Sequence, residues 1–302
     1  MKLAGSLFID GIDAYTAYGA VVVKDGHNGL LQWPPLKDVE INDWHEYDGI
    51  EADLSHPVLA GRRFDVDFYI FGKTQRQART EGIVAALRDG SYHEFNFAVL
   101  GRTVTLRAVS FGEPELCSDG LKITITFADD FPLYGYTYLA PSSTVAEKDD
   151  YLVDGIPFTD YGVRIIEGSL KSAMNMPDVK ENLTRDISIL PGVIYDDPAA
   201  ENEEGEEETV DATVRLSYRD LVLRCYMIAP ALSTFWRNYD ALLYDLIRPN
   251  ARVLHSSDAG KWLSCHYKDS DVEKVALEGG KIGLIFNITF VVLAELDEPE
   301  TT

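Results

Sequence analysis

Apolar and polar residues alternate along much of this chain, and the alternation comes in two rounds. Phe64 to Ile70 reads apolar, Asp, apolar, Asp, apolar, Tyr, apolar, the period-two signature of a half-buried strand. Further strands are predicted at 94–100, 102–109 and 121–128, and again at 186–190, 214–218, 221–228, 251–255, 261–267 and 282–293. Val39, Ile41 and Trp44 predict one more half-buried strand, and residues 50–61 a long loop or hairpin arm. Trp33-Pro34-Pro35 must be extended, because a residue before proline is pushed out of the helical region. The period changes twice. Residues 73–88 carry Ala78, Ile83, Ala86 and Leu87 on one stripe, and residues 231–247 carry Phe235, Tyr239, Leu242, Leu243 and Leu246. Both patterns predict an amphipathic helix, ended by Asp89-Gly90 in one case and Pro249-Asn250 in the other.

The two rounds begin alike. Residues 8–19 and 152–162 each read two apolar residues, Asp-Gly-Ile, a short polar spacer and Tyr-Gly, with apolar residues following. Asp-Gly marks a tight turn, so each copy predicts strand, turn and strand. Gly101-Arg102 and Gly260-Lys261 fall at corresponding hairpins. The order of elements therefore predicts a tandem duplication. The chain is expected to be mainly β (α+β), with two antiparallel domains, each with one flanking helix. The boundaries are 1–140 and 151–296, joined by a polar, proline-containing linker at 141–150 and followed by a tail at 297–302. The second copy holds an insertion, 196–210, dense in glutamate. Like charges at that density predict a flexible loop, most of all over 198–209, where the first copy has its arm at 43–61.

Composition narrows the function. The 302 residues are 46% hydrophobic and 25% charged, enough for a substantial core. The formal net charge of −23 argues against wrapping nucleic acid, which requires basic patches. Cys117, Cys225 and Cys265 form no Cys-x-x-Cys pair, and their odd number suits a reducing compartment rather than a disulfide framework. Asp10 and Asp13 interrupt the N-terminal apolar run too early for a signal peptide, and no stretch is long enough to span a membrane.

Catalytic chemistry is hard to assemble from these residues. The six histidines form no His-x-x-x-His pair. Cys265 and His266 are adjacent, so a strand sends them to opposite faces: a buried thiol and an exposed imidazole rather than a metal pair. The acidic run from Asp43 to Asp53 lacks the order of a calcium loop and reads as solvated turns. Asp129-Asp130 reads as the exit of a strand rather than a paired acid and base. No nucleophile elbow or phosphate loop is present. The expectation is no enzyme, with no catalytic, cofactor-binding or metal residues and no cofactor.

The order of motifs resembles a known family. Phe8, Gly11-Ile12, Tyr18-Gly19, Val39-Glu40-Ile41, Asp48-Gly49, Gly61-Arg62-Arg63, the strand 64–70, Gly101-Arg102 and Phe131-Pro132-Leu133-Tyr134-Gly135 are similar to the N-terminal domain of phage distal tail (Dit) proteins. The likeness covers about the first 140 residues, and the second copy repeats it more weakly. It implies two tandem tail-tube-like β-sandwich domains in a structural protein of a phage or phage-like tail tip or baseplate. Such a ring surrounds the DNA channel and adapts the tail tube to the hub or receptor-binding proteins. Many family members carry a carbohydrate-module-like second domain instead, so this chain departs from that pattern. The implied partners are further copies of the chain, in a hexameric ring or a trimeric pseudo-hexamer, with the tail tube protein, the baseplate hub, tail fibre or receptor-binding protein, and the tape-measure protein. DNA would be transiting cargo, and no membrane is involved. The implied location is the virion tail, with assembly in the host cytoplasm. Strands 64–70 and 102–108, with counterparts 221–228 and 261–267, are candidates for the channel wall. The alternative is a carbohydrate- or protein-binding β-sandwich module without enzymatic activity.

Overall fold

The computed structural model describes residues 3–44, 48–142, 151–166, 220–256 and 260–297, with a few two-residue strands between 178 and 217. The protein is mainly β, and its strand pairings are antiparallel. The first sheet contains β1 (Leu7–Ile9), β2 (Ile12–Asp13), β3 (Ala20–Val22), β6 (Arg62–Phe71), β7 (Tyr92–Phe97), β8 (Arg102–Phe111), β9 (Glu115–Leu116) and β10 (Gly120–Asp129). Two short strands, β4 (Ile41–Asn42) and β5 (Glu51–Ala52), pair apart from it. The second sheet contains β11 (Tyr151–Val153), β12 (Ile156–Pro157), β13 (Val163–Ile165), β14 (Asp220–Ile228), β15 (Arg252–Ser256), β16 (Lys261–Glu278) and β17 (Lys281–Leu296). Strand order in the first sheet is β2-β1-β7-β8-β10-β6-β3, with β9 added on β10. In the second it is β12-β11-β15-β16-β17-β14-β13, the same order strand for strand. Residues 152–157 thus take in one sheet the place that 8–13 take in the other.

The repeated Asp-Gly turns have matching backbones. Asp10 and Gly11 sit at φ 49 and 78, and Asp154 and Gly155 at 50 and 77. Positive φ at both central residues is the hairpin turn whose twist suits the flanking strands. The expected second strand is brief, because the spacer coils. In the first copy α1 (Ala14–Tyr18) is capped by Asp13, whose carboxylate accepts from the Tyr15 and Thr16 amides, and Gly19 ends it at φ 65. In the second copy a 3-10 turn, Phe158–Tyr161, ends at Gly162 with φ 71. With α2 (Asn28–Leu31), these short helical turns add to the one long flanking helix of each copy. Two long helices form where predicted, α3 at Arg76–Leu87 and α4 at Leu232–Leu246, but α3 buries Thr80, Ile83 and Leu87 while Ala78 of the expected stripe is exposed.

Other sequence expectations shift for identifiable reasons. Ile41 and Trp44 are exposed, and the strand predicted around them is only β4. Strand β16 runs to Glu278, well past 267. Bulges near Ser264, Tyr267 and Val272 reset its pleat, so the alternation is not continuous in the sequence. The register is unbroken from Cys265 to Tyr267, so His266 takes the face opposite Cys265, yet it is buried there, which corrects the expected exposed imidazole. The strand predicted at 186–190 lies outside the described residues, and so does that at 214–218 apart from the pair 216–217. Most of the acidic loop 196–210, including most of 198–209, lies outside them too, as do linker residues 143–150 and tail residues 298–302.

Buried side chains from both halves form one contiguous cluster. The arm between β3 and β6 lies along the second sheet. Trp33, 3% exposed, packs against Tyr239 at 4.6 Å, Phe286 at 5.4 Å and Tyr267 at 6.1 Å between ring centroids. Backbone and side-chain groups fix it there. The Trp33 amide donates to Ser270 Oγ at 2.9 Å, the Leu36 amide to the Lys268 carbonyl at 2.8 Å, and the Tyr267 hydroxyl to the Pro34 carbonyl at 2.9 Å. The Ile50 amide reaches the Leu293 carbonyl at 2.8 Å. A Cβ on Gly49 would lie 2.3 Å from that same oxygen, so the close approach requires glycine. The start of the expected linker is also held: Ser142 exchanges two hydrogen bonds with the Asn238 side chain, and Arg237 Nε donates to the Ala140 carbonyl.

Trp33→Ala is expected to cost about 3–5 kcal/mol, the range for an aromatic removed from a packed core. Trp33→Phe is expected to cost less, since the buried indole N–H has no hydrogen-bond partner to lose. Denaturant unfolding measures both. Because one core serves both sheets, the parent protein is expected to unfold in a single transition, and two separable transitions would contradict the shared core.

Candidate assembly surfaces

The candidate channel-wall strands are all central or near-central strands, with one side chain in two turned inward. In β6, Phe64, Val66, Phe68 and Ile70 are buried, leaving Arg63, Asp65, Asp67 and Tyr69 on the outer face. In β8, Leu106 and Ala108 are buried, and Thr103 and Thr105 are exposed. The outer face of the first sheet is therefore polar. Its groups are bonded to one another: Thr126 Oγ1 donates to Asp65 and Thr124 Oγ1 to Asp67, each at 2.6 Å, while Lys122 Nζ lies 2.8 Å from Asp67. Burial raises the Asp67 pKa, but the Lys122 and Thr124 hydrogen bonds outweigh it and hold the carboxyl below its ordinary value.

The second sheet differs. In β14, Leu221, Leu223, Cys225 and Met227 are buried, and Val222, Arg224, Tyr226 and Ile228 face outward. Val222 is 44%, Tyr226 37% and Ile228 47% exposed. Tyr226 lies opposite Ile285 and Ile228 opposite Gly283 on β17. The strip is aliphatic at the Ile228 end, and Arg224 paired with Glu273 at 2.7 Å interrupts it. In 261–267, by contrast, Leu263, Cys265, His266 and Tyr267 are all buried, which leaves that segment little outward surface.

Two further features are an aromatic group at the border of the first outer face, where Tyr92 and Arg107 point outward, and a cleft beside β3. The closing segment of the first unit exposes Phe131 and Tyr134, and Phe131 packs against the exposed Tyr92 ring. Its two aspartates diverge, as expected of a strand exit: Asp129 pairs with Arg62 at 3.1 Å, while Asp130 takes Arg107 at 2.9 Å and the Tyr92 hydroxyl at 2.7 Å. A cleft of about 690 Å³ opens between β3 and the end of β16, lined by Leu7, Val22, Phe71, Val99, Val275 and Leu277 among others. His27 lies at its wall. Burial drives its pKa down to about 4, against the raising effect of Asp25, so the imidazole is neutral at pH 7. Among the described residues, no group of three or more His, Cys, Asp or Glu side chains could hold a metal ion.

Gly101-Arg102 was legible as a hairpin but not as an inter-sheet contact. The Gly101 turn sits against Leu232 of α4, where a Cβ would come within 2.9 Å. Arg102 Nη1 donates to both Asp240 oxygens, at 2.9 and 2.7 Å, and its guanidinium lies over the Trp236 ring at 4.1 Å. Trp236 Nε1 in turn donates to the Leu100 carbonyl at 2.6 Å. The counterpart Gly260 faces open space. No difference between the two Gly-containing turns in sequence announces this, because the partner lies on a helix of the other copy.

Burial pushes the Asp240 carboxyl above its ordinary pKa, against the lowering effect of Arg102. Arg102→Ala leaves that carboxylate buried without its partner and is expected to cost about 3 kcal/mol at neutral pH. The variant raises the folded-state pKa further above the unfolded value. The deficit is therefore expected to be smallest near pH 4 and to grow as pH rises through the folded-state pKa. Urea unfolding at pH 4, 5.5 and 7 reads this out, and a deficit independent of pH would contradict it.

No family model matches the chain, and no curated protein matches it in sequence. Among solved structures it is similar to the crystal structure of the phage SPP1 Dit protein, described as a paradigm of the hub adsorption apparatus of phages that infect Gram-positive hosts. The alignment covers 97% of this chain and 99% of that one, with 11% identity and a TM-score of 0.33. At that identity and TM-score the likeness assigns neither a family nor a function.

Proposed function

We propose that the chain is a structural subunit of a phage or phage-like tail tip or baseplate, acting by assembly and without a chemical step. The observation that carries the reading is the contrast between the two outer sheet faces. The first is polar and internally hydrogen-bonded, and the second exposes Val222, Tyr226 and Ile228 beside Ile285. Exposed aliphatic and aromatic groups on a sheet face suit burial against another protein surface. The order of motifs from Phe8 to Gly135 supports the choice of a tail protein among assembling proteins.

In this reading the aliphatic face meets a neighbouring copy in a closed ring, and the polar face borders the channel. Cyclic closure satisfies every copy with one type of contact. A hexamer is favoured over a trimeric pseudo-hexamer, because the first copy carries the stronger motif likeness. The charge of −23 gives the ring its physical action: a negative lumen repels phosphates, so DNA passes without being held. The ring would join the tail tube to the hub, tail fibre or receptor-binding proteins. The alternative, a carbohydrate- or protein-binding module, is favoured by the apolar cleft beside β3.

Light scattering with electron microscopy, on the protein alone and mixed with its tail neighbours, tests the proposal. The expected result is a ring of several chains, and the double variant Tyr226→Asp, Ile228→Asp is expected to stay folded with the mass of one chain. A protein that remains monomeric at high concentration and with those neighbours, and is absent from particles, overturns it.

A further inference from the structure

The two Asp-Gly turns are held by the same device built from different residues. In the first sheet the Asp10 amide donates to the Glu94 carbonyl, and the Glu94 amide to Asp10 Oδ1, both at 2.9 Å. In the second the Asp154 amide donates to the Val253 carbonyl and the Val253 amide to Asp154 Oδ1, both at 2.8 Å. The residue before each strand partner then supplies a nitrogen base. His93 Nδ1 lies 2.6 Å from Asp10 Oδ2, and Arg252 Nη1 lies 2.6 Å from Asp154 Oδ2. The far side of each base reaches the turn that follows the helix. His93 Nε2 lies 3.3 Å from Asp89 Oδ1, and Arg252 Nη2 donates to the Pro249 and Asn250 carbonyls at 2.6 and 3.0 Å. Each base therefore ties its edge hairpin to the helix-to-strand turn.

We propose that the first clamp is a pH-sensitive switch on the β1–β2 edge hairpin, closed by protonated His93 between Asp10 and Asp89, whereas the second is locked by Arg252. A guanidinium stays charged at any pH a protein meets, and an imidazole does not. Neutral imidazole has a single N–H, so it can donate to one aspartate only and leaves the other facing a lone pair. The surroundings add no competing charge. The β1–β2 turn presents Asp10, the α3–β7 turn presents Asp89 and Ser91, β8 places Leu106 opposite, and Arg107 beside Tyr92 is held by Asp130. Burial lowers the His93 pKa, but the hydrogen bonds and charges of Asp10 and Asp89 outweigh it, and the net shift is upward from 6.5. A base with a raised folded-state pKa contributes its full stabilisation below about 6.5 and loses it as pH rises through the folded value. The clamp is thus closed below the folded-state pKa of His93 and open above it.

Amide hydrogen exchange, corrected for intrinsic rates, tests this on the intact chain. Protection at Asp10 and Glu94 is expected to fall roughly tenfold between pH 6 and pH 8.5, the loss of a charge-assisted hydrogen bond. Protection at Asp154 and Val253 is expected to stay level over the same range. His93→Arg is expected to abolish the pH dependence at the first turn, and His93→Gln to give low protection at both pH values. Should the variants fail to fold, NMR titration of the His93 ring in the parent decides the matter. A midpoint above 6.5, lowered by Asp89→Asn, supports the switch. A midpoint at or below 6.5, or equal pH responses at the two turns, overturns it.

Discussion

The packing of Trp33 between the halves is the contact on which the rest of the structure depends. A loop from the first copy delivers an indole into the aromatic interior of the second, against Tyr239, Tyr267 and Phe286. Loops ordinarily stay at the surface because their backbone groups need water. This one escapes that constraint because two of its backbone positions are prolines with no N–H to satisfy, and the Pro34 carbonyl finds the Tyr267 hydroxyl. The Trp33 amide is answered by Ser270, itself 2% exposed. Once the indole is seated, the segment from Gln32 to Leu36 has its course along β16, and the two sheets are parts of one packed body.

The two copies share a strand order but not a surface. Equivalent positions have been put to different uses according to what lies opposite them. Gly101 and Gly260 both take positive φ, yet only Gly101 has α4 against it. In the first copy β8 and β10 are separate strands joined through Gly112–Asp119; in the second, β16 and β17 continue to a two-residue Gly279-Gly280 turn. The longer hairpin creates both the strand edge that receives the Trp33 loop and one wall of the apolar cleft. Lengthening one hairpin therefore couples the copies rather than merely decorating the second.

Local chemistry explains which parts were legible in the sequence. The Asp-Gly turns, α3, α4 and the strand 64–70 could be read because each is fixed by a short-range rule: positive φ, helical period or strand period. Trp33 could not, since its burial is decided by residues more than 200 positions away, and its proline neighbours establish only an extended backbone. The burial of His266 could not, because strand period gives only its face, opposite Cys265, and not what covers that face. The candidate wall strands were found as strands, but their outward sets, Asp65 with Asp67 and Tyr226 with Ile228, acquire meaning only once neighbouring strands are in place. The clamp was hidden for another reason: His93 and Arg252 are unlike residues, and only the matched backbone bonds of Asp10 and Asp154 reveal them as equivalents.

The charge distribution constrains how these surfaces can be used. Several acidic groups are already answered: Asp67 by Lys122, Asp129 by Arg62, Asp130 by Arg107, the largely buried Asp240 by Arg102 and Glu273 by Arg224. The chain still carries a large excess of acidic over basic residues, 50 against 27. Two such chains repel at long range, with a reach set by ionic strength. In the proposed ring, contact between copies would have to come from a short-range, uncharged patch, such as the face bearing Val222, Tyr226 and Ile228. The outer face of the first sheet, with its aspartates tied to threonines, gains nothing from burial and is suited to remain in water.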